Sequence, residues 1–224
     1  MAINHSMKKI LKALSFDGIE VEAARHLASL KAIDPMKIFH KTIDYKIYNG
    51  DYEVPVRIYL PREKVTEDLP VFLFFHGGGW VTDCIDNYER ICARLASATE
   101  HIVVSVEYRL APEHPFPTGF MDCYAVAKAI YTNRFILNVN PQRITLIGDS
   151  AGGNLAAAVS LKARDDGIFK PQRQILIYPA VNNDYSDTSR FQSVKDCGSD
   201  YLLTAGKMCD YIDFYAAREE DKKN

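Results

Sequence analysis

Four short stretches are apolar at almost every position: Val71 to Phe75, Ile102 to Val106, Ile144 to Ile147 and Ile175 to Tyr178. Each is separated from the next by a segment of helical length. A strand with one solvated face alternates, whereas a strand covered on both faces reads as a continuous apolar run. The spacing therefore predicts an α/β fold, a mostly parallel sheet between layers of helix. Ahead of these runs, "TIDYKIYNGDYEVPVRIYLP" alternates (Ile43, Tyr45, Ile47; Val54, Val56, Ile58, Leu60) around Asn49 and Gly50. That pattern predicts an antiparallel hairpin turning at Asn49-Gly50, since both residue types tolerate positive φ.

Helices fill the intervals. Residues 5 to 33 read as one or two amphipathic helices, with apolar positions at Ile10, Leu11, Leu14 and then Val21, Ala24, Leu27, Leu30. Asp86 with Glu89 three positions on resembles a capping box opening "NYERICARLASATE". "FMDCYAVAKAIYTN" gives the next helix, "AGGNLAAAVSLKARDDG" another ending at Gly167, and a last one runs from Thr204 to about Arg218. Without repeats, low-complexity tracts or linkers, residues 1 to 224 are expected to form a single domain.

The bulk properties exclude several classes. Of the 224 residues 47% are apolar and 25% charged, and the net charge is −2 with Lys and Arg dispersed, which argues against a nucleic-acid partner. The charged amino terminus builds no secretory apolar region, and no 18-residue apolar span occurs, so a cytoplasmic protein without stable membrane association is expected. Five scattered cysteines without a CxxC read as small core hydrophobes, with no metal site and no cofactor implied; a homodimer is left open.

The chemistry-bearing motif is Gly148-Asp149-Ser150-Ala151-Gly152, placed between the strand "ITLIG" and an alanine-rich helix. This is the strand-turn-helix setting of a nucleophilic serine, whose sharp turn demands residues without a Cβ at Gly148 and Gly152. A serine merely capping a glycine-rich helix is the competing reading. "HGGGW", residues 76 to 80, ends the strand Val71 to Phe75 and leaves bare backbone NH groups. An acyl-transfer serine needs such donors at the developing oxyanion, each worth roughly 3 to 4 kcal/mol. Gly77 and Gly78, with Ala151 after the nucleophile, are the candidates, and the ligand they imply is a small-molecule ester.

Together "HGGGW", "YRLAPEHPFP" (108 to 117), "GDSAGGNLAA" (148 to 157) and "ILIYPA" (175 to 180) resemble the hormone-sensitive-lipase-like family of α/β hydrolases from about residue 40 onward. The resemblance implies a carboxylic ester hydrolase of short to medium acyl chains, with Ser150 as nucleophile and His76, Gly77 and Gly78 building the oxyanion loop. It also implies a helical cap formed by residues 1 to 40 and about 182 to 220.

Within that frame His76 is expected to fix the glycine loop through backbone, and Arg109, Glu113 and His114 to brace the proline-rich loop internally. Asp149 should point away from the nucleophile. Trp80 either lines the pocket or packs on the cap, and the stripe Met208, Tyr211, Ile212, Tyr215 reads as cap packing.

One element of the family pattern is missing. The chain order is serine, acid, histidine, yet His5, His26, His40, His76, His101 and His114 all precede Ser150. No acidic residue after Tyr178 sits in the family's strand-end motif. The expectation is a chain that stops before the last strands, inactive alone, with "QILIYPA" left as an exposed apolar edge. Two other functions stay open: a ligand-binding relative without catalysis, and an acyltransferase sharing the acyl-enzyme.

Overall fold

The structure is a computed structural model that describes residue 7 and residues 18–31, 42–61 and 69–223. Its centre is a six-stranded sheet in the order β1-β2-β4-β3-β5-β6. The strands are β1 (Thr42–Asn49), β2 (Tyr52–Tyr59), β3 (Val71–Phe75), β4 (Ile102–Val106), β5 (Ile144–Asp149) and β6 (Arg173–Ile177). β2 pairs antiparallel with β1 and β4, and the remaining pairs are parallel. Every residue of β3, β4 and β5 is buried, as the continuous apolar runs require.

The α-helices among the described residues are α1 (Val21–Lys31), α2 (Ile85–Thr99), α3 (Thr118–Tyr131), α4 (Ala151–Asp166), α5 (Gln192–Cys197) and α6 (Ala205–Tyr215). Alternate residues of each strand serve opposite layers. Leu73 and Phe75 join Val126, Ile130, Leu155 and Val159 of α3 and α4 in one core. Phe72 and Phe74 join Cys92, Ala93 and Ala96 of α2 in the other. Burial on both faces is thus what keeps the central strands uniformly apolar. Phe75 stands beside Val106 on one side and Gly148 on the other, so the carboxyl ends of β3, β4 and β5 are level and their loops share one rim.

The hairpin turns one residue later than expected. Asn49 pairs with Tyr52, the connection is Gly50-Asp51, and only Gly50 takes positive φ (61°). Asn49 is held in the strand because its amide donates to Asp122 Oδ1 at 2.7 Å. Nor does a capping box open α2. Its N-cap position is Cys84, and the Glu107 carboxylate, reaching over from the end of β4, accepts the Ile85 amide at 2.6 Å. Asp86 instead pairs with Arg57 at 2.6 Å. The cysteines divide: Cys92 and Cys123 are core residues, Cys84 is half-buried, and Cys197 and Cys209 are exposed thiols, contrary to the uniform core reading.

Of the amino-terminal helical pattern, Val21–Lys31 is observed as a helix, while Ile10, Leu11 and Leu14 lie outside the described residues. Among the described residues no helix is long and apolar enough to cross a membrane.

Candidate active site

Ser150 occupies the sharpest point of the chain. Its φ of 51° and ψ of −117° lie in a region that residues with a Cβ rarely adopt, between the last residue of β5 and the first of α4. The turn is tied to the end of β6, since Ser150 N donates to Ile177 O at 2.9 Å and Ala180 N donates to Ser150 O at 3.1 Å. Steric crowding dictates the flanking glycines. A Cβ on Gly152 would run into the carbonyl oxygens of Phe75 and His76, and one on Gly148 into Gly152 itself. The Ser150 hydroxyl makes no capping bond to the helix that follows, so the geometry departs from that of a serine N-cap. A strained, locked serine with an unused hydroxyl has the conformation of an activated nucleophile's turn.

The glycine loop adjoins this turn. Gly77 N donates to Asp149 Oδ1 at 3.0 Å and to the Tyr88 hydroxyl at 3.2 Å, and Tyr88 in turn donates to Asp149 Oδ2 at 2.8 Å. The Gly77 amide, expected among the oxyanion donors, is therefore occupied in this structure. Gly78 and Gly79, both at positive φ (106° and 61°), and Ala151, at the open start of α4, have amides without a hydrogen-bond partner among the described residues. Gly79 is not among the residues that the sequence singles out. Only the partners of Gly77, distant along the chain, reveal which of three adjacent amides are free.

His76 is fully buried. Its Nδ1 lies 2.7 Å from Gly77 O, its ring stacks on Tyr108 with centroids 4.3 Å apart, and its own carbonyl accepts the Tyr108 hydroxyl at 2.8 Å. Burial pushes its pKa down to about 4, so the ring is neutral near pH 7 and braces the loop, as expected. Asp149 is held above the usual aspartate range by burial, opposed by the donors Tyr88 and Gly77. Its carboxylate faces the loop and not the nucleophile.

In "YRLAPEHPFP", Arg109 makes a two-pronged pair with buried Asp122 of α3 (2.8 and 2.9 Å), bracing the loop against that helix and not internally. Glu113 does something else. It accepts from both terminal nitrogens of Arg25 in α1 at 2.8 Å, and Arg25 also donates to the carbonyls of Val81 (through Nε) and Ala111 at 2.9 Å. The guanidinium lowers the Glu113 pKa to about 2. This carboxylate thus fastens α1 to the rim of the site.

Over the rim, α6 packs as its stripe suggested. Tyr215 stacks on Trp80 at 4.6 Å, and the Tyr211 ring lies where a Cβ of Gly79 would be. Trp80 accordingly packs on this helix. A cavity of about 190 Å³ opens beside Ser150, lined by Tyr178, Tyr185, Val194, Leu203 and Met208 among others. No group of three or more potential metal-ligating side chains occurs among the described residues. Nor does any described histidine bond Ser150.

The sequence profile of a family described as having the alpha/beta hydrolase fold matches residues 72–224. The chain is 40% identical over 174 residues to carboxylesterase NlhH of Mycobacterium tuberculosis, a match covering 76% of this chain and 53% of that protein. Against an arylesterase of Saccharolobus solfataricus it is 35% identical over 210 residues, 93% of this chain and 65% of the other. Among solved structures, an esterase from Pyrobaculum calidifontis superposes with a TM-score of 0.85 at 33% identity, covering 100% of this chain and 74% of that one. The chain spans between about half and two thirds of the length of these curated relatives.

Proposed function

This chain belongs to the hormone-sensitive-lipase-like family of α/β hydrolases, and from that premise we propose that the protein is a carboxylic ester hydrolase acting through an acyl-enzyme on Ser150. The observation that carries the proposal is the pairing of a strained serine, its hydroxyl free of any capping bond, with an adjoining loop of free amides. The Ser150 Oγ attacks the ester carbonyl carbon, and the carbonyl oxygen takes on negative charge. The amides of Gly78, Gly79 and Ala151 stabilise that charge, at roughly 3 to 4 kcal/mol for each donor aimed at the oxyanion. The alcohol then leaves with a proton, and water releases the acid from the acyl-enzyme.

We assign the cap to α5, α6 and their connections, with α1 fastened at its side by Arg25. The modest cavity beside Ser150 supports short to medium acyl groups as substrates. Turnover also needs a base for the Ser150 proton, and the described residues place none there. A second reading is a ligand-binding relative that keeps the pocket without catalysis.

Labelling with an alkyl fluorophosphonate tests the first reading. Ser150 Oγ bonds to phosphorus as fluoride leaves, so the protein is expected to label covalently and the Ser150→Ala variant not at all. Equal labelling of the two overturns it. Ligand-induced thermal stabilisation together with no Ser150-dependent labelling and no release of p-nitrophenol from its esters selects the second.

A further inference from the structure

The nucleophile and the oxyanion loop are joined by a side-chain clamp that ester chemistry does not require in itself. Asp149 directly precedes Ser150, and its two carboxylate oxygens take the Gly77 amide (3.0 Å) and the Tyr88 hydroxyl (2.8 Å). The same hydroxyl also accepts from Gly77 N at 3.2 Å, closing a three-membered ring of hydrogen bonds. Space for the ring exists only because position 77 lacks a side chain. A Cβ there would stand 2.6 Å from Asp149 Oδ2 and 3.0 Å from the Tyr88 oxygen. The Tyr88 ring is fixed between Phe74 and His76, with centroids 5.6 and 5.7 Å away.

We propose that Tyr88 is a positioning residue for the ester reaction: by orienting the Asp149 carboxylate it holds the Gly77 peptide, and so aims the Gly78 and Gly79 amides at the Ser150 oxyanion. The inference rests on the hydrolase reading above. The lever is short. Fixing the Gly77 peptide sets the direction in which the next residue leaves, and Gly78, at φ 106°, has no side chain to hold that direction by itself. In a site this buried, hydrogen bonds polarise one another and an unpaired carboxylate is costly, so the three groups hold or release together.

Asp149 is faced by Tyr88 and Cys92 of α2, Asp83 before that helix, Tyr108 after β4 and Tyr178 after β6. Of these side chains, Tyr88 alone donates a hydrogen bond to it. Deleting that hydroxyl removes an interaction favouring the charged carboxylate, and Asp149 then protonates at higher pH.

Tyr88→Phe keeps the ring and tests the clamp. Hydrogen exchange at the Gly77 amide should quicken about tenfold while the unfolding midpoint barely moves. The maximal rate of Ser150 fluorophosphonylation should drop about tenfold with the half-saturating concentration unchanged, and the acid limb of that rate should move to higher pH. Unchanged Gly77 exchange overturns the proposal. So does faster exchange with neither a rate loss nor a displaced limb, which would make the clamp structural only.

Asp149→Asn leaves an oxygen for the Gly77 amide but removes the titrating group. An acid limb that persists in this variant also overturns the role. Labelling that survives Ser150→Ala overturns the hydrolase reading and the clamp's role with it, whereas an unslowed, Ser150-dependent reaction in Tyr88→Phe overturns the clamp's role alone.

Discussion

At the scale of single residues, His76 shows how burial converts a titratable side chain into a fixed strut. The unfolded imidazole takes a proton near pH 6.5 and the buried one only near pH 4, so between those values the unfolded state binds more protons and folding weakens as pH falls. The expected loss from pH 7 to pH 4 is about 3 kcal/mol. Asp149 titrates with the opposite sign, its raised pKa favouring the folded state as acid is added. Glu113, lowered from 4.5 to about 2, begins to lose its contribution at the acid end of the range where His76 acts and loses most of it below that range. Urea unfolding of the protein and of His76→Gln across this pH range, taken as a difference, cancels the carboxylates. The variant should lack most of the slope between pH 6.5 and 4. A slope equal to the parent's would show that His76 takes its proton as readily in the native state as in the unfolded one.

The elements expose the consequence of a strand paired on one side only. β6 bonds β5 along its length, and no strand covers its other edge among the described residues. Ile175 is 42% exposed, Tyr178 74% and Val181 68%, an apolar rim beside free backbone donors and acceptors. Ile175→Lys places a charge on this rim without touching the turn at Ser150. It should slow aggregation severalfold in light scattering at 37 °C while changing stability by less than about 0.5 kcal/mol. Unchanged aggregation would locate the sticky surface elsewhere. This edge was legible in the sequence, as were the central strands, because two-sided burial writes itself into consecutive residues. The elbow was legible because Gly148 and Gly152 are steric necessities. Features set by distant partners were not. Asn49 leaves the turn for Asp122, Glu107 caps a helix beginning 22 positions earlier, and Asp149 with Tyr88 decides which glycine amides are free. No local pattern encodes such bonds.

Across the whole molecule the described parts are unevenly matched: an elbow, a rigid amide loop and a cavity stand together, and no described histidine bonds Ser150. No histidine follows Ser150 in the sequence. Of the four described ones, His76 is committed to Gly77 O, His101 lies stacked on Phe72 at 3.9 Å, and His26 and His114 are exposed. A comparable hydrolase stripped of its base loses activity on the order of a million-fold, yet oxyanion donors and binding retain roughly a thousandfold over water. If want of a base limits Ser150 in this chain, a diffusible one should replace part of it. The cavity of 190 Å³ has room for about six waters, and hence for a five-membered ring beside the hydroxyl. Imidazole should therefore raise p-nitrophenyl butyrate hydrolysis saturably, tracking its neutral form as pH rises through its pKa. Imidazole also attacks such esters unaided, so the rate with Ser150→Ala is subtracted at each concentration. A gain that vanishes on subtraction would mean that the hydroxyl, and not merely its base, is unable to react.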